Sequence, residues 1–555
     1  MQQPLQAPAV DRTSATLHGV VRSAATGEGV PRALVRIEGN ADTGALTDGD
    51  GRFEVPGVPV GPQAVQVFRP GFLDETAEAE SPAGDGTAGV PHDVLVAAEM
   101  PDVVFTLTPA CTIRGRVDLS TGDPAGGIEI GLARRVVTDG RAIWQASGFS
   151  KTRSDGSYHF GGLADGQYLL YTTPTLDTEP PAILITPGKT AAAQRWGYAS
   201  VFYPDAREPS GAAKITVAKG EEAQANFTLT REPFQTITAT VSLPQNMNIK
   251  GAGYSVEILD GSGHQLPYPA QYDQATNTAQ AALPDGTYSL LVSSNPMPAM
   301  GGPAHPTPLA VLVDFSVAGR AITSLRVPLT ATISAPVQIS VVRTGAETVQ
   351  TQNERVAIMV SPAGGANHGG TESGWIGGAE MGEYAAGAAT GPLETNYMAP
   401  GAYWVHTYLP GIGLCESSFT AGGASLGREP LTIGLSGATA PMELTLRDDC
   451  AQLTMSLPDN LAGIAAGEER FFTVYVVPDL DFTRDLRPVI LRPSTSRTFT
   501  LAGLTPGNYR VYTFAGNVRL EYRNPAALAA LPNPGQAITL SPGAQSGLVL
   551  EAPAQ

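Results

Sequence analysis

The chain has 555 residues, with 52 acidic against 34 basic side chains and a formal net charge of −18. That length is too great for a single core and fits several domains of ordinary size, while the acidic balance argues against nucleic acid and anionic lipid surfaces as partners. Glycine (63) and proline (46) are abundant, yet short apolar runs recur throughout, which excludes a disordered chain, and no run reaches the roughly 18 apolar residues of a membrane helix, so no membrane insertion is expected.

Residues 1–13 read as a flexible, Pro- and Gln-rich tail. Met1-Gln2-Gln3-Pro4 resembles a start placed before a mature N-terminus whose export signal has been removed. From there one β unit repeats five times, over 14–110, 111–232, 233–332, 333–447 and 448–555. A strand opens each unit: Leu17–Val21, Ile113–Val117, Ile237–Val241, the run around Val337 to Val342, and Leu453–Leu457. Another closes it: Val103–Leu107, Ala225–Leu229, Leu325–Leu329, Met442–Leu446 and Leu548–Leu550. Both alternate apolar and polar residues, as half-buried strands do.

Between them lies a turn that reads as a β-hairpin with a Pro-Gly or Asp-Gly centre. Its shared core is Gly-x-Tyr: Gly166 with Tyr168, Gly286 with Tyr288, Gly401 with Tyr403, and Gly507 with Tyr509. The first unit departs from the rule, with Gln63 two residues after Gly61. Each Tyr is expected to anchor its domain near the core or edge. Phe471, Val474, Val476, Tyr509 and Val511 are expected in the core of the last unit. Five all-β sandwiches in tandem follow, arranged as a string of separate beads. Pro525 to Leu531 reads as one or two helical turns.

The second unit carries an aromatic insert, R-W-G-Y-A-S-V-F-Y-P-D-A-R-E-P-S from Arg195 to Ser210. Trp196, Tyr198 and Tyr203 are the candidate ligand-binding residues, because exposed rings beside Asp and Arg can stack on sugar faces. The same rings could instead fill the sandwich core. The fourth unit contains a Gly- and Ala-rich stretch, Gly364 to Gly391, read as a mobile loop. Cys415 and Cys450 are candidates for a disulfide, since the strands they follow can lie close in one sandwich. Cys111 has no candidate partner in its own unit and reads as a small buried side chain.

Other constellations do not suit catalysis or cofactors. None of the seven histidines (18, 92, 159, 264, 305, 368, 406) has the spacing of a zinc site, and no metal or cofactor is expected. Asp48-Gly49-Asp50-Gly51 loosely matches a calcium loop but lacks the distal Glu, so a tight turn explains it. Gly423-Ala424-Ser425-Leu426-Gly427 fits the nucleophile pattern of hydrolases but sits in a β domain without the strand-turn-helix elbow that chemistry needs. Lysine is rare and none lies on an opening strand, so no Lys–Asn cross-link is expected.

In the first unit Thr26-Gly27, Pro31-Arg32-Ala33-Leu34-Val35 and Thr47 to Phe53 follow one another as they do in the carboxypeptidase regulatory-like domain, and this unit closely resembles that family. The insert of the second unit and Tyr522-Arg523-Asn524-Pro525 in the fifth resemble multi-repeat exported proteins of soil bacteria such as acidobacteria. The resemblance implies prealbumin-like or Ig-like sandwiches, grouped with carbohydrate-binding-like folds, without the catalytic half of a carboxypeptidase. It leads to two expectations. One is a non-enzymatic structural or assembly protein, outside the cell, on its surface or in the periplasm, that associates with itself or with other surface proteins through strand edges. The other is a polysaccharide-binding protein that uses the aromatics of the second unit.

Overall fold

A computed structural model describes residues 14–39, 43–74, 91–177, 195–242, 253–261, 263–295, 309–331, 336–344, 357–363, 393–394, 401–409, 413–434, 437–438, 440–458, 472–484, 486–491, 497–516 and 518–551. The N-terminal tail, the Gly/Ala-rich stretch from Gly364, Phe471, His305 and His368 lie outside them. The described chain is almost wholly β, in five tandem sandwiches of two sheets each. Among the described residues no helix is long and apolar enough to cross a membrane.

One topology recurs in all five. The opening strand lies in the middle of its sheet, between the arm that precedes the Gly-x-Tyr turn, which runs antiparallel to it, and the closing strand, which runs parallel to it. In the first sandwich Gly19 of Ser14–Ser23 sits opposite Phe53 and Val103. In the fifth, Met455 of Ala451–Ser456 sits opposite Phe499 and Leu548. Unit ends thus meet side by side in one sheet, which gives each repeat a closed core.

The expected hairpin is corrected by this topology. Its two arms do not pair with each other. In the fifth sandwich Thr498–Leu504 pairs with Ala451–Ser456, whereas Gly507–Ala515 crosses to the opposite sheet and pairs with Phe472–Pro478 and Gln536–Leu540. In the other units too, the second arm joins the opposite sheet. The Gly-x-Tyr segment is therefore an arch between sheets. Local alternation cannot tell an arch from a hairpin, because both consist of two strands and a turn.

Each sandwich has its own buried cluster, from Leu17, Val35 and Phe105 in the first to Val474, Val476, Tyr509 and Val511 in the fifth. The second and third also share a cluster: Tyr171, Ala199 and Phe202 pack with Phe234, Ile237 and Tyr288. The backbone joins there as well, since Arg195–Tyr198 of the aromatic insert pairs antiparallel with the start of Arg231–Ser242, with Arg195 opposite Phe234. At the C-terminal end, Pro525–Ala529 forms a single short helix, whose first turn is capped by Asn524 accepting from the Ala527 N–H at 3.2 Å.

Candidate functional site

Each arch is fixed by its tyrosine. Tyr168, Tyr288, Tyr403 and Tyr509 are all buried. Three of them donate their hydroxyl to the carbonyl four residues upstream: Tyr168 to Ala164 at 2.7 Å, Tyr288 to Pro284 at 3.2 Å and Tyr509 to Thr505 at 2.6 Å. This is the logic of the tyrosine corner of Ig sandwiches, in which a buried ring carries a polar tip that ties down the chain as it changes sheets. Burial pushes the Tyr403 and Tyr509 phenols up to about 12. Gly166 has a φ of 145°, a region that a side chain would strain, and this accounts for the Gly at that position.

The three insert aromatics do not form one platform. Tyr198 and Tyr203 pack against the core of the second sandwich, and Tyr203 meets Phe227 edge-on with ring centres 5.8 Å apart. Trp196 alone remains exposed, with the Arg231 guanidinium 5.2 Å from its ring centre. Two of the three candidate stacking rings thus follow the other reading the sequence offered and pack against the core, where their apolar area is better buried.

Cys415 and Cys450 form a disulfide with Cα atoms 5.8 Å apart. It ties the strand Cys415–Ala421 to the link between the fourth and fifth sandwiches. Cys111 is buried and unbridged, its thiol directed at the Ala218 carbonyl at 2.9 Å. Around Ser425 the chain makes a two-residue strand and a turn, with no helix to form a nucleophile elbow. The Asp48 carboxylate accepts from the Asp50 and Arg52 N–H groups at 2.9 and 2.8 Å, the hydrogen bonding of a tight turn. Among the described residues no group of His, Cys, Asp or Glu is arranged to hold a metal ion.

The most densely bonded polar site is one that sequence reasoning did not single out. Strands Glu129–Thr138 and Arg141–Lys151 of the second sandwich form a long hairpin. Its two-residue tip, Asp139-Gly140, has positive φ at both residues (49° and 67°), as a tight Asp-Gly turn requires. The tip is seated between the fourth and fifth sandwiches. One Asp139 carboxylate oxygen accepts from the Tyr522 hydroxyl at 2.9 Å and Arg523 at 3.2 Å; the other accepts from Arg141 at 2.8 Å and lies 2.9 Å from Nδ1 of His406. Burial works against the charged carboxylate, but the His406 hydrogen bond and the Arg523 charge outweigh it and hold its pKa at about 2.

The surroundings complete this junction. Arg523 is nearly fully buried; it donates to the Phe482, Thr483 and Arg484 carbonyls as well as to the Asp139 backbone oxygen. The Arg141 guanidinium lies 3.7 Å from the Trp404 ring centre. Burial and the neighbouring Arg523 charge lower its pKa to about 10, so it stays charged at neutral pH. Arg135 pairs with Glu521 at 2.6 Å. A Cβ on Gly140 would meet the Tyr522 ring at 2.5 Å, so only glycine fits beneath it. Between the fourth and fifth sandwiches the buried Glu416 accepts from the N–H and hydroxyl of Thr483 at 2.7 and 2.8 Å. The string of separate beads is thereby corrected: the second, fourth and fifth sandwiches are fastened together by buried charges. In sequence, Asp139-Gly140 looks like any other tight turn.

No curated protein matches the sequence. Among solved structures the chain is similar to the major pilin subunit BcpA of Bacillus cereus, at 8% identity over 80% of this chain and 98% of that one, with a TM-score of 0.13. It is also similar to two B repeats of the collagen binding protein of Staphylococcus aureus, at 11% identity over 73% and 93%, with a TM-score of 0.14. Similarity to the Bacillus anthracis TIE protein, at 12% identity and a TM-score of 0.14, covers 72% of this chain and 64% of that protein. Scores this low carry no function from those proteins to this one. Residues 16–92, most of the first sandwich, match the family model of the carboxypeptidase regulatory-like domain, and that sandwich is of this type.

Proposed function

We propose that the chain is a non-enzymatic structural or assembly protein of the cell surface or exterior, whose sandwiches act as a rigid block that associates with copies of itself or with other surface proteins. The observation that carries this reading is the Asp139 junction. Buried ion pairs cost desolvation and suit one arrangement of their partners, and here they fasten the second sandwich to the fourth and fifth, which lie far from it in sequence. The Cys415–Cys450 disulfide supports an oxidising compartment. The polysaccharide reading through the insert aromatics is weakened by the burial of Tyr198 and Tyr203 against the core.

The test is membrane-impermeant biotinylation of intact source cells, with negative-stain electron microscopy of the purified chain. Labelling on intact cells, with particles in which the sandwiches cluster, singly or stacked into assemblies, supports the proposal. Protection inside intact cells, or five beads that move independently, overturns it.

A further inference from the structure

The outer face of the second sandwich holds a half-open groove of about 470 Å³, within the range of small-ligand sites. Its floor is the sheet centred on Cys111–Leu119. Arg114 and Arg116 point outward from that strand, while Ile113 and Val117 point into the core. The register places His159 opposite Arg114 and Ser157 opposite Arg116 on one side, and Gln224 opposite Arg114 on the other. Lys151 and Arg153 stand at the rim.

Four of the chain's 34 basic residues therefore line one groove in a molecule of net charge −18. Arg114 and Arg116 are held in place by Glu222 and Asp118, each at 2.6 Å. Lys151 and Arg153 have no ion-pair partner among the described residues; set against Glu222, Asp118 and the Asp155 carboxylate, which accepts from the Ser157 hydroxyl at 2.6 Å, the four cations still leave a positive excess. The closing strand bends here as well. Gly115 allows the Ala225 carbonyl to approach where a Cβ would meet it at 1.6 Å, and the Tyr158 hydroxyl donates to that same carbonyl at 2.6 Å. The bend turns the Asn226 side chain inward to accept from the Arg116 N–H at 3.0 Å.

We propose that this groove binds an anionic oligosaccharide bearing carboxylates, a uronate chain. Guanidinium and ammonium groups match carboxylates through charge-assisted hydrogen bonds. Sugar hydroxyls need neutral donors and acceptors beside them, and Ser157, Gln224 and Asn226 supply these on the same face. The oligosaccharide must be short, because a long polyanion of any kind would meet the repulsion of the whole acidic surface. The inference goes beyond the structural role and uses none of the insert aromatics.

The test is calorimetric titration of the whole chain with tri-galacturonate, with a neutral trisaccharide, inorganic phosphate and tri-glutamate as controls. It is repeated on the variant Lys151→Glu/Arg153→Glu, whose changes lie on exposed side chains, with folding checked by circular dichroism. The expected result is binding of tri-galacturonate alone, weakened by salt and at least about tenfold weaker in the variant. No binding of tri-galacturonate, binding of the neutral sugar or tri-glutamate equal to it, binding of phosphate alone, or an unchanged affinity in the folded variant would each overturn the proposal.

Discussion

The first and second sandwiches share a frame and differ in what they put on it. In both, a buried threonine staples the same loop: Thr47 bonds the Val30 carbonyl and Ala33 N–H, and Thr152 bonds the Ala125 carbonyl and Ile128 N–H. Both opening strands carry a glycine, Gly19 and Gly115, where the closing strand approaches too closely for a Cβ. On the outer face, matched positions diverge. His18, Val20, Asp48, Arg52 and Glu54 of the first sandwich correspond to Arg114, Arg116, Arg153, Ser157 and His159 of the second. One cation and two anions become three cations and no anion. The hairpin on the other sheet also lengthens, from Leu34–Ile37 and Gly44–Leu46 to Glu129–Thr138 and Arg141–Lys151. One end of that extension reaches the groove, and the other reaches the junction. What differs is grafted onto the surface and loop tip of a shared scaffold, while the core is left alone.

The largest effect should come from the graft. Asp139→Ala leaves Arg523 and Arg141 buried beside no anion, a loss of about 3–5 kcal/mol for breaking a buried pair. Hydrogen exchange at residues 136–142, 404–407 and 521–523 should rise together, with exchange in the first sandwich unchanged. If protection of these segments is unaltered, the tip does not hold the sandwiches together. Next comes the frame. Tyr168→Ala and Tyr509→Ala should each cost about 3 kcal/mol as large-to-small core changes. Gln63→Ala, at the matching half-buried position in the first sandwich, should cost far less. Chemical denaturation separates these cases, and a loss below about 0.5 kcal/mol for either tyrosine would remove it from the core.

Acid should undo the junction with a defined sign. The Asp139 pKa falls on folding, from an ordinary 3.8 to about 2. Its contribution is therefore complete above pH 4 and is lost as pH falls from about 4 through 2, a change of about 2 kcal/mol. The difference in stability between the natural chain and Asp139→Ala should shrink over that window. A difference that does not shrink between pH 4 and 2 would mean the tip is held by packing against Tyr522 alone.

The frame was legible in the sequence because it repeats. Apolar alternation recurs in all five copies and Gly-x-Tyr in four, at the spacing of a domain, and each buries the same kind of residue where it occurs. The arch was misread as a hairpin because strand pairing is non-local and the turn chemistry of the two is alike. The junction was not legible at all. Asp139 and Arg523 lie 384 positions apart, and a charged side chain carries no periodic mark of what it meets. The groove was hidden differently: Arg114 and Arg116 look like the solvated face of an ordinary strand until Lys151 and Arg153 are seen to converge on them.

The smallest effect completes the contrast. In the first sandwich His18 and Asp102 pair at 2.6 Å and Arg52 lies 3.5 Å from the same carboxylate, but Asp102 is about half exposed. Water screens that pair, and fixing mobile side chains offsets much of what it gains. Asp102→Ala should therefore change stability by less than about 1 kcal/mol, and by less again in 1 M salt, where the screening length is about 3 Å. Thermal melts of the two chains at low and high salt measure it. A loss approaching that of Asp139→Ala would mean the outer face of the first sandwich is also buried against something, and the division between a bare frame and a functional copy would fail there.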